Sequence, residues 1–450
     1  MAAASTHSVR LILNTALWLT ALGVVVRASG AIKEIIFASA FGVSRDTDAF
    51  VLAVTYATFL PAVLGGAIAT ALVAHLANVK AQGYRLSSAG LDSMLRWIST
   101  GGVLCALLIY LLAPVLLATL FSLGGEQLDK AVALSRILAP LGAAMIWSAA
   151  MDAALNSAKQ FYVPAITALA TPAMMMAWIL AAGATWGVEA AAWGMLVGGV
   201  AEVLILLVRI GWQRQALFTN ALEVDGAKKN PGQPTVRIAA FWRSVGFLSF
   251  AGAIAALAAV VDQVFLSRLE PGAVTNFNYA YKVNSLLIGL FGNAFAVVIY
   301  PYLSDLAAAR DIAGLKRLSL RLAAVVIPVT GAVSLIVYVF SYEIVEILFV
   351  RGNFSRDSAV EVSAIQQIFA FQLIFYVGGL LATRVLNAAR ATGFILAISC
   401  VGLASVALFD WLLYSTWGAR GIALSAVLTS TVTLVAALLF IRRSFVPSTH

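Results

Sequence analysis

The sequence predicts an all-α polytopic membrane protein, with about twelve transmembrane helices in two six-helix lobes related by a parallel repeat. Three observations predict it: extreme apolarity, a succession of bilayer-length apolar runs, and a motif pattern that recurs once. Of the 450 residues, 62% are hydrophobic and 11% are charged, and the mean hydropathy is +0.96. Soluble domains carry roughly 25% charged residues. A chain this apolar cannot clothe a water-facing surface, so lipid is its expected solvent.

A membrane helix needs about 20 apolar residues. Such runs lie near 11–40, 47–78, 92–121, 131–158, 161–184, 189–210, 241–268, 273–306, 318–341, 362–388, 393–415 and 419–441. Arg10 followed by an apolar stretch and Ala28-Ser29-Gly30-Ala31 imitates a cleavable leader. The stretch instead runs on through Ile35, Ile36 and Phe37, as a helix would.

Lys and Arg placement sets the orientation. Alternate loops hold Arg10, Lys80 with Arg85, Lys159, then Arg214, Lys228, Lys229 and Arg237, then Arg310 to Arg321, Arg390, and Arg442-Arg443. The intervening loops lean acidic, with Asp46, Asp48, Glu126, Asp129, Glu189, Glu270, Glu343 and Glu346. The positive-inside rule then puts both termini in the cytoplasm. The net charge of +9 is accounted for by these loops, so no nucleic-acid partner is expected. The least apolar stretch, 213–240, reads as a cytoplasmic linker between lobes 1–212 and 241–450.

The lobes resemble each other at a spacing of about 230 residues. Leu155-Asn156-Ser157-Ala158-Lys159 matches Leu386-Asn387-Ala388-Ala389-Arg390, and Trp186-Gly187 matches Trp417-Gly418. Glu34, Phe37 and Ser39 match Asp262, Phe265 and Ser267. Six helices per copy is an even number, so both copies share one orientation. Paired bundles of this kind bind substrate near the repeat interface and rock one bundle against the other.

Charge inside a span costs at least about 2.5–3.5 kcal/mol and marks a pathway or a pair. The first helix holds Arg27, Lys33 and Glu34. Arg27 and Glu34 are seven apart and share a face. Gly23 and Gly30 flank Arg27 and leave room for a ligand or a bend. Asp262 and Lys282 occupy the seventh and eighth spans. Ion pairs such as Arg27–Glu34 or Lys282–Asp262 are the plain structural alternative. Glu202, Arg384 and Asp410 are read as structural, near helix ends, and Asp152 is left open. A dry cavity lined by Arg and Lys favours an anion such as a pyrophosphate, since the guanidinium fork fits phosphate oxygens.

Arg27-Ala-Ser-Gly30-Ala-Ile-Lys33-Glu34, then Phe41-Gly42 and Thr47-Asp48-Ala49-Phe50, resembles the bacterial lipid II flippase (MviN-type) family. That family belongs to the multidrug/oligosaccharidyl-lipid/polysaccharide exporter superfamily. Asn278-Tyr279-Ala280-Tyr281-Lys282 through Tyr300-Pro301-Tyr302-Leu303-Ser304 resembles its eighth helix, and Leu348-Phe349-Val350-Arg351-Gly352-Asn353-Phe354 its outer loop. The resemblance implies alternating access for a polyprenyl-pyrophosphate-linked saccharide, either lipid II or a surface-polysaccharide precursor. It implies substrate contacts from Arg27, Lys33, Glu34 and Lys282, with Gly30 and Asp48 supporting or gating; Asp262, by its place in the repeat, is read in the same supporting role. Two cations are Lys where the family has Arg. Ala57-Thr58-Phe59-Leu60-Pro61, which matches a second-helix segment carrying an arginine, has no cation.

Catalysis is not expected. There is no Gly-x-x-x-x-Gly-Lys-Ser/Thr phosphate loop. Asp46-Thr47-Asp48 imitates a metal-binding Asp-x-Asp, yet its surroundings read as a helix start with a capping residue. His7, His75, His450, Cys105 and Cys400 are scattered, so neither a metal centre nor a cofactor is expected. The expected partners are membrane lipid, the lipid-linked saccharide and glycan-synthesis enzymes. A cation-coupled multidrug exporter and a non-transporting scaffold are the alternatives.

Overall fold

In hydrocarbon a backbone N–H has no water to bond, so each apolar run must satisfy itself as a helix. The computed structural model describes residues 2–81, 88–218, 238–309, 311–388 and 392–444, and among them it contains helices and no strand. In chain order these are α1 (Ala2–Phe41), α2 (Arg45–Ala81), α3 (Ser88–Leu120), α4 (Gly125–Ser157), α5 (Tyr162–Thr167), α6 (Ala170–Trp186) and α7 (Val188–Phe218). There follow α8 (Ile238–Leu266), α9 (Ala273–Ala308), α10 (Ile312–Val339), α11 (Ser341–Phe349), α12 (Arg356–Ala388) and α13 (Thr392–Ser444).

The twelve expected spans are all present. α5 and α6 share one span, and α13 holds two, because Gly418 at φ 56°, ψ −137° leaves the helical region. α11 is an additional short helix. Nine stretches among the described residues are long and apolar enough to cross a membrane by composition alone, the longest being Leu396–Arg442 across that corner. This is a multi-pass membrane protein. The repeat is visible in the backbone: α4 and α12 are each 33 residues long. Gly187, at φ 58°, ψ −142°, follows Trp186 as Gly418 follows Trp417.

The chain divides into two compact units. One comprises Met1–Phe37, Ala53–Leu117 and Leu128–Ala253; the other comprises Ala38–Leu52, Ala118–Gln127 and Ile254–His450. Most of the expected linker, residues 219–237, lies outside the described residues.

In the first unit α4 is the core helix, with Leu134, Leu138, Leu141 and Ile146 buried. Helices approach closely where small residues allow it. A Cβ on Gly142 would stand 2.9 Å from Pro61 Cγ on α2 and from Ile109 Cδ1 on α3. Gly194 and Gly198 of α7 do the same against α6, where added Cβ atoms would meet Met175 Cα at 2.6 Å and Thr171 Cα at 2.5 Å. In the second unit α12 is central and packs against α9, α10, α11 and α13. Its buried Phe369 meets Phe277 of α9 edge-on at 5.2 Å. Leu104, Leu107, Leu108 and Leu111 of α3 are exposed. Such a stripe suits lipid and not water.

Candidate functional site

The charges on α1 sit where the sequence places them. Lys33 Nζ lies 3.0 Å from Glu34 Oε1, and both side chains are largely buried, at 20% and 17% exposure. Arg27 is half-buried two turns earlier on the same helix. Cβ atoms added to Gly23 or Gly30 would meet nothing within 4 Å, so the wall beside Arg27 is open. Lys282 is half-buried on α9. Arg27, Lys33 and Glu34 thus belong to the first unit and Lys282 to the second.

The three motif blocks meet inside the second unit. Asn353 donates its backbone N–H to Ser39 O at 2.8 Å and its side-chain amide to Ala40 O at 2.7 Å. Tyr279 donates to Gly42 O and packs its ring on Phe349 and Phe354 at 5.1 and 5.4 Å. Gly42 (φ +61°) and Gly352 (φ +57°) are both in the left-handed region. A Cβ on either would fall 2.3 Å from a backbone oxygen, of Asn353 and of Ser39 respectively. Spacing alone could not have shown that these distant blocks form one joint.

Asp48 has a different role from the one expected locally. The start of α2 is capped by Ser44 and Thr47, whose side chains and backbone amides bond reciprocally, at 2.8 Å for Ser44 N to Thr47 Oγ1 and 3.2 Å for Thr47 N to Ser44 Oγ. The segment is thus a capped helix start, as its sequence suggests, with Thr47 in the cap. Asp48 instead caps α9. Its carboxylate accepts from Gly272 N at 2.5 Å, Thr275 N at 2.8 Å and Thr275 Oγ1 at 2.6 Å. An anion at a helix N-terminus satisfies orphan amides and opposes the helix dipole. Asp46, the other half of the Asp-x-Asp imitation, is exposed.

Asp410 also departs from expectation. The sequence reading puts it near a helix end, yet it is fully buried inside α13, close to Asp262 of α8 and to Ser425, and neither its carboxylate oxygens nor the Ser425 hydroxyl has a hydrogen-bond partner among the described residues. Asp262 therefore faces a carboxyl. Two carboxylates so close repel unless a proton or a cation stands between them. In the first unit Glu202 of α7 is half-buried close to Thr171, Ser148 and Asp152.

Sequence reasoning missed a neutral network in the second unit. Asn284 of α9, fully buried, donates to Gln372 Oε1 at 2.6 Å, and Gln372 donates to Ser430 Oγ at 3.3 Å. Gln366 is fully buried one and a half turns before Gln372, and neither amide atom has a hydrogen-bond partner. Amides recurring in one otherwise apolar span were the available signal.

A two-lobed repeat of apolar helices, with charge held inside both lobes, is the class of architecture that paired-bundle membrane transporters use. Solved structures share this fold. One of lipid II flippase MurJ in an inward closed conformation superposes with a TM-score of 0.76 at 19% identity, covering 95% of this chain and 87% of that one. An inward-facing multidrug resistance MATE family transporter gives 0.74 at 14% identity, over 93% and 94% of the two chains.

Within that class, the chain belongs to the lipid II flippase MurJ family, which it matches over residues 37–449. A probable lipid II flippase MurJ of Thermotoga maritima is 25% identical across 94% of this chain and 83% of its own length. Lipid II flippase MurJ of Burkholderia cenocepacia is 28% identical over 62% of this chain and 54% of its own length.

Proposed function

We propose that the protein flips a polyprenyl-pyrophosphate-linked saccharide, lipid II or a surface-polysaccharide precursor, across the inner membrane by alternating access. Arg27, Lys33 and Lys282 hold the pyrophosphate, Glu34 orients the cations, and Gly30 gives α1 the room to admit the head group. Asp48 and Asp262 support and gate these helices. Both termini lie in the cytoplasm. The head group crosses through protein while the prenyl tail stays in lipid, and glycan-synthesis enzymes supply and consume the substrate.

The single observation that carries this reading is the sign of the charge on α1. A half-buried Arg27 stands beside open space, flanked by glycines, within a chain of the flippase family. A head group that contacts one lobe arrangement better than the other shifts the population toward it. The test is complementation of a lipid II flippase depletion strain, with a polysaccharide-export strain in parallel. Rescue of either identifies the substrate class; rescue of neither, at normal membrane expression, rejects the proposal.

A cation-coupled drug exporter is the second reading. The fold likeness to a MATE transporter and the carboxyl pair Asp262–Asp410 favour it. Drug resistance on overexpression without glycan rescue would select it.

A further inference from the structure

The second unit holds a cavity of about 750 Å3 that the transport reading does not use. It lies where the α8–α9 turn, the first turns of α12 and the Gly418 corner of α13 come together. All three lie on the side opposite the Lys/Arg-rich loops, which the positive-inside rule makes the outer side. Its size falls within the ~300–1,000 Å3 of small-molecule sites. Six side chains give it its chemistry: Glu270, Asn276, Glu361, Tyr414, Trp417 and Arg420.

The cation is already committed, since Arg420 Nη2 lies 3.3 Å from both oxygens of Glu361. Glu270 adds a second carboxylate, so the lining offers no spare positive charge to a phosphate. A hydrocarbon tail would leave these polar groups without partners, at a cost. Trp417 stands half-exposed, and the Tyr414 ring is braced on Phe265 at 5.1 Å. Asn276 Oδ1 is buried and accepts no hydrogen bond. Aromatic faces pack on the C–H faces of a sugar ring, while carboxylates and an amide bond its hydroxyls and N-acetyl groups.

The repeat separates this chemistry from ordinary interfacial anchoring. At the matching corner of the first unit, Trp186 repeats Trp417, and it too is half-exposed. Tyr414, however, is matched by Gly183, Glu361 by Lys130 and Arg420 by Glu189. An aromatic belt residue at the bilayer surface would explain both tryptophans. It does not explain why carboxylates, amide and second ring gather around one of them.

We infer that this outer cavity of the second unit binds the saccharide part of the lipid-linked substrate, as a neutral or N-acetylated sugar chain, apart from the pyrophosphate-binding cations. The inference rests on the flippase reading, because transport is what brings a sugar to this side. The probe is tri-N-acetylchitotriose, which has neither pyrophosphate nor lipid, titrated into the full chain in nanodiscs. Saturable binding is expected, weakened about fivefold or more by Trp417→Ala and by the shape-preserving Glu270→Gln. Trp186→Ala leaves it unchanged. No saturable binding, binding indifferent to both cavity variants, or displacement by tetraethylammonium would each overturn the inference. Flipping is measured on the same preparations. Flipping without trisaccharide binding sinks the cavity assignment alone; trisaccharide binding without flipping sinks the transport reading and leaves the cavity a sugar site.

Discussion

At Asp48 one buried carboxylate closes the N-terminus of α9 with three hydrogen bonds from residues more than two hundred positions away. Removing it strands those donors. Asp48→Ala is expected to cost about 1.5–3 kcal/mol, and Asp48→Asn less, read as a lowered thermal midpoint in detergent. An unchanged midpoint for the alanine variant would show that the cap carries no stability. The pair Asp262–Asp410 predicts the opposite sign. Asp410→Asn removes a repulsion and leaves an amide able to donate to Asp262, so the midpoint holds or rises; a clear fall would contradict the paired-carboxyl geometry. Both residues are visible in the sequence as charges in apolar runs. Their partners are not, because a span's ends are uncertain by several residues and its rotation is set by packing. Asp410 therefore reads as lying near a helix end when it is buried within α13, and the service of Asp48 to the start of α9 cannot be read from its own segment.

Among elements, the joint between the α1–α2 elbow and the 349–354 loop depends on two glycines. Each occupies a left-handed conformation, and each faces a backbone oxygen that cannot yield. Gly42→Ala and Gly352→Ala should both lower stability and transport together. Gly418→Ala should cost less, about 1–3 kcal/mol, since its strain is conformational and a Cβ there meets nothing. Equal losses at all three positions, measured by thermal unfolding, would show that the close approach is unimportant. The spans themselves were legible because hydropathy at bilayer length is a strong signal. α11 was not, since a 9-residue helix has no such signature. The repeat was legible through Trp-Gly and the Leu-Asn motif, and the backbone shows why: the same positive-φ corner turns the chain in each copy.

For the whole molecule, the central claim is that cations contributed by both lobes grip one anionic head group. The sequence made the cations and their sign legible, and the family match accounts for the motif order. Kinetics are the direct test of the proposal that Arg27 and Lys282 act on a single ligand. The decisive measurement is the initial rate at which reconstituted vesicles expose a fluorescent polyprenyl-pyrophosphate saccharide to an external enzyme. Arg27→Ala and Lys282→Ala should each lower that rate about tenfold, corresponding to roughly 1.4 kcal/mol of lost binding to the transition state, while Lys282→Arg retains it. Wild-type rates in both alanine variants, at equal protein per vesicle, would contradict the account.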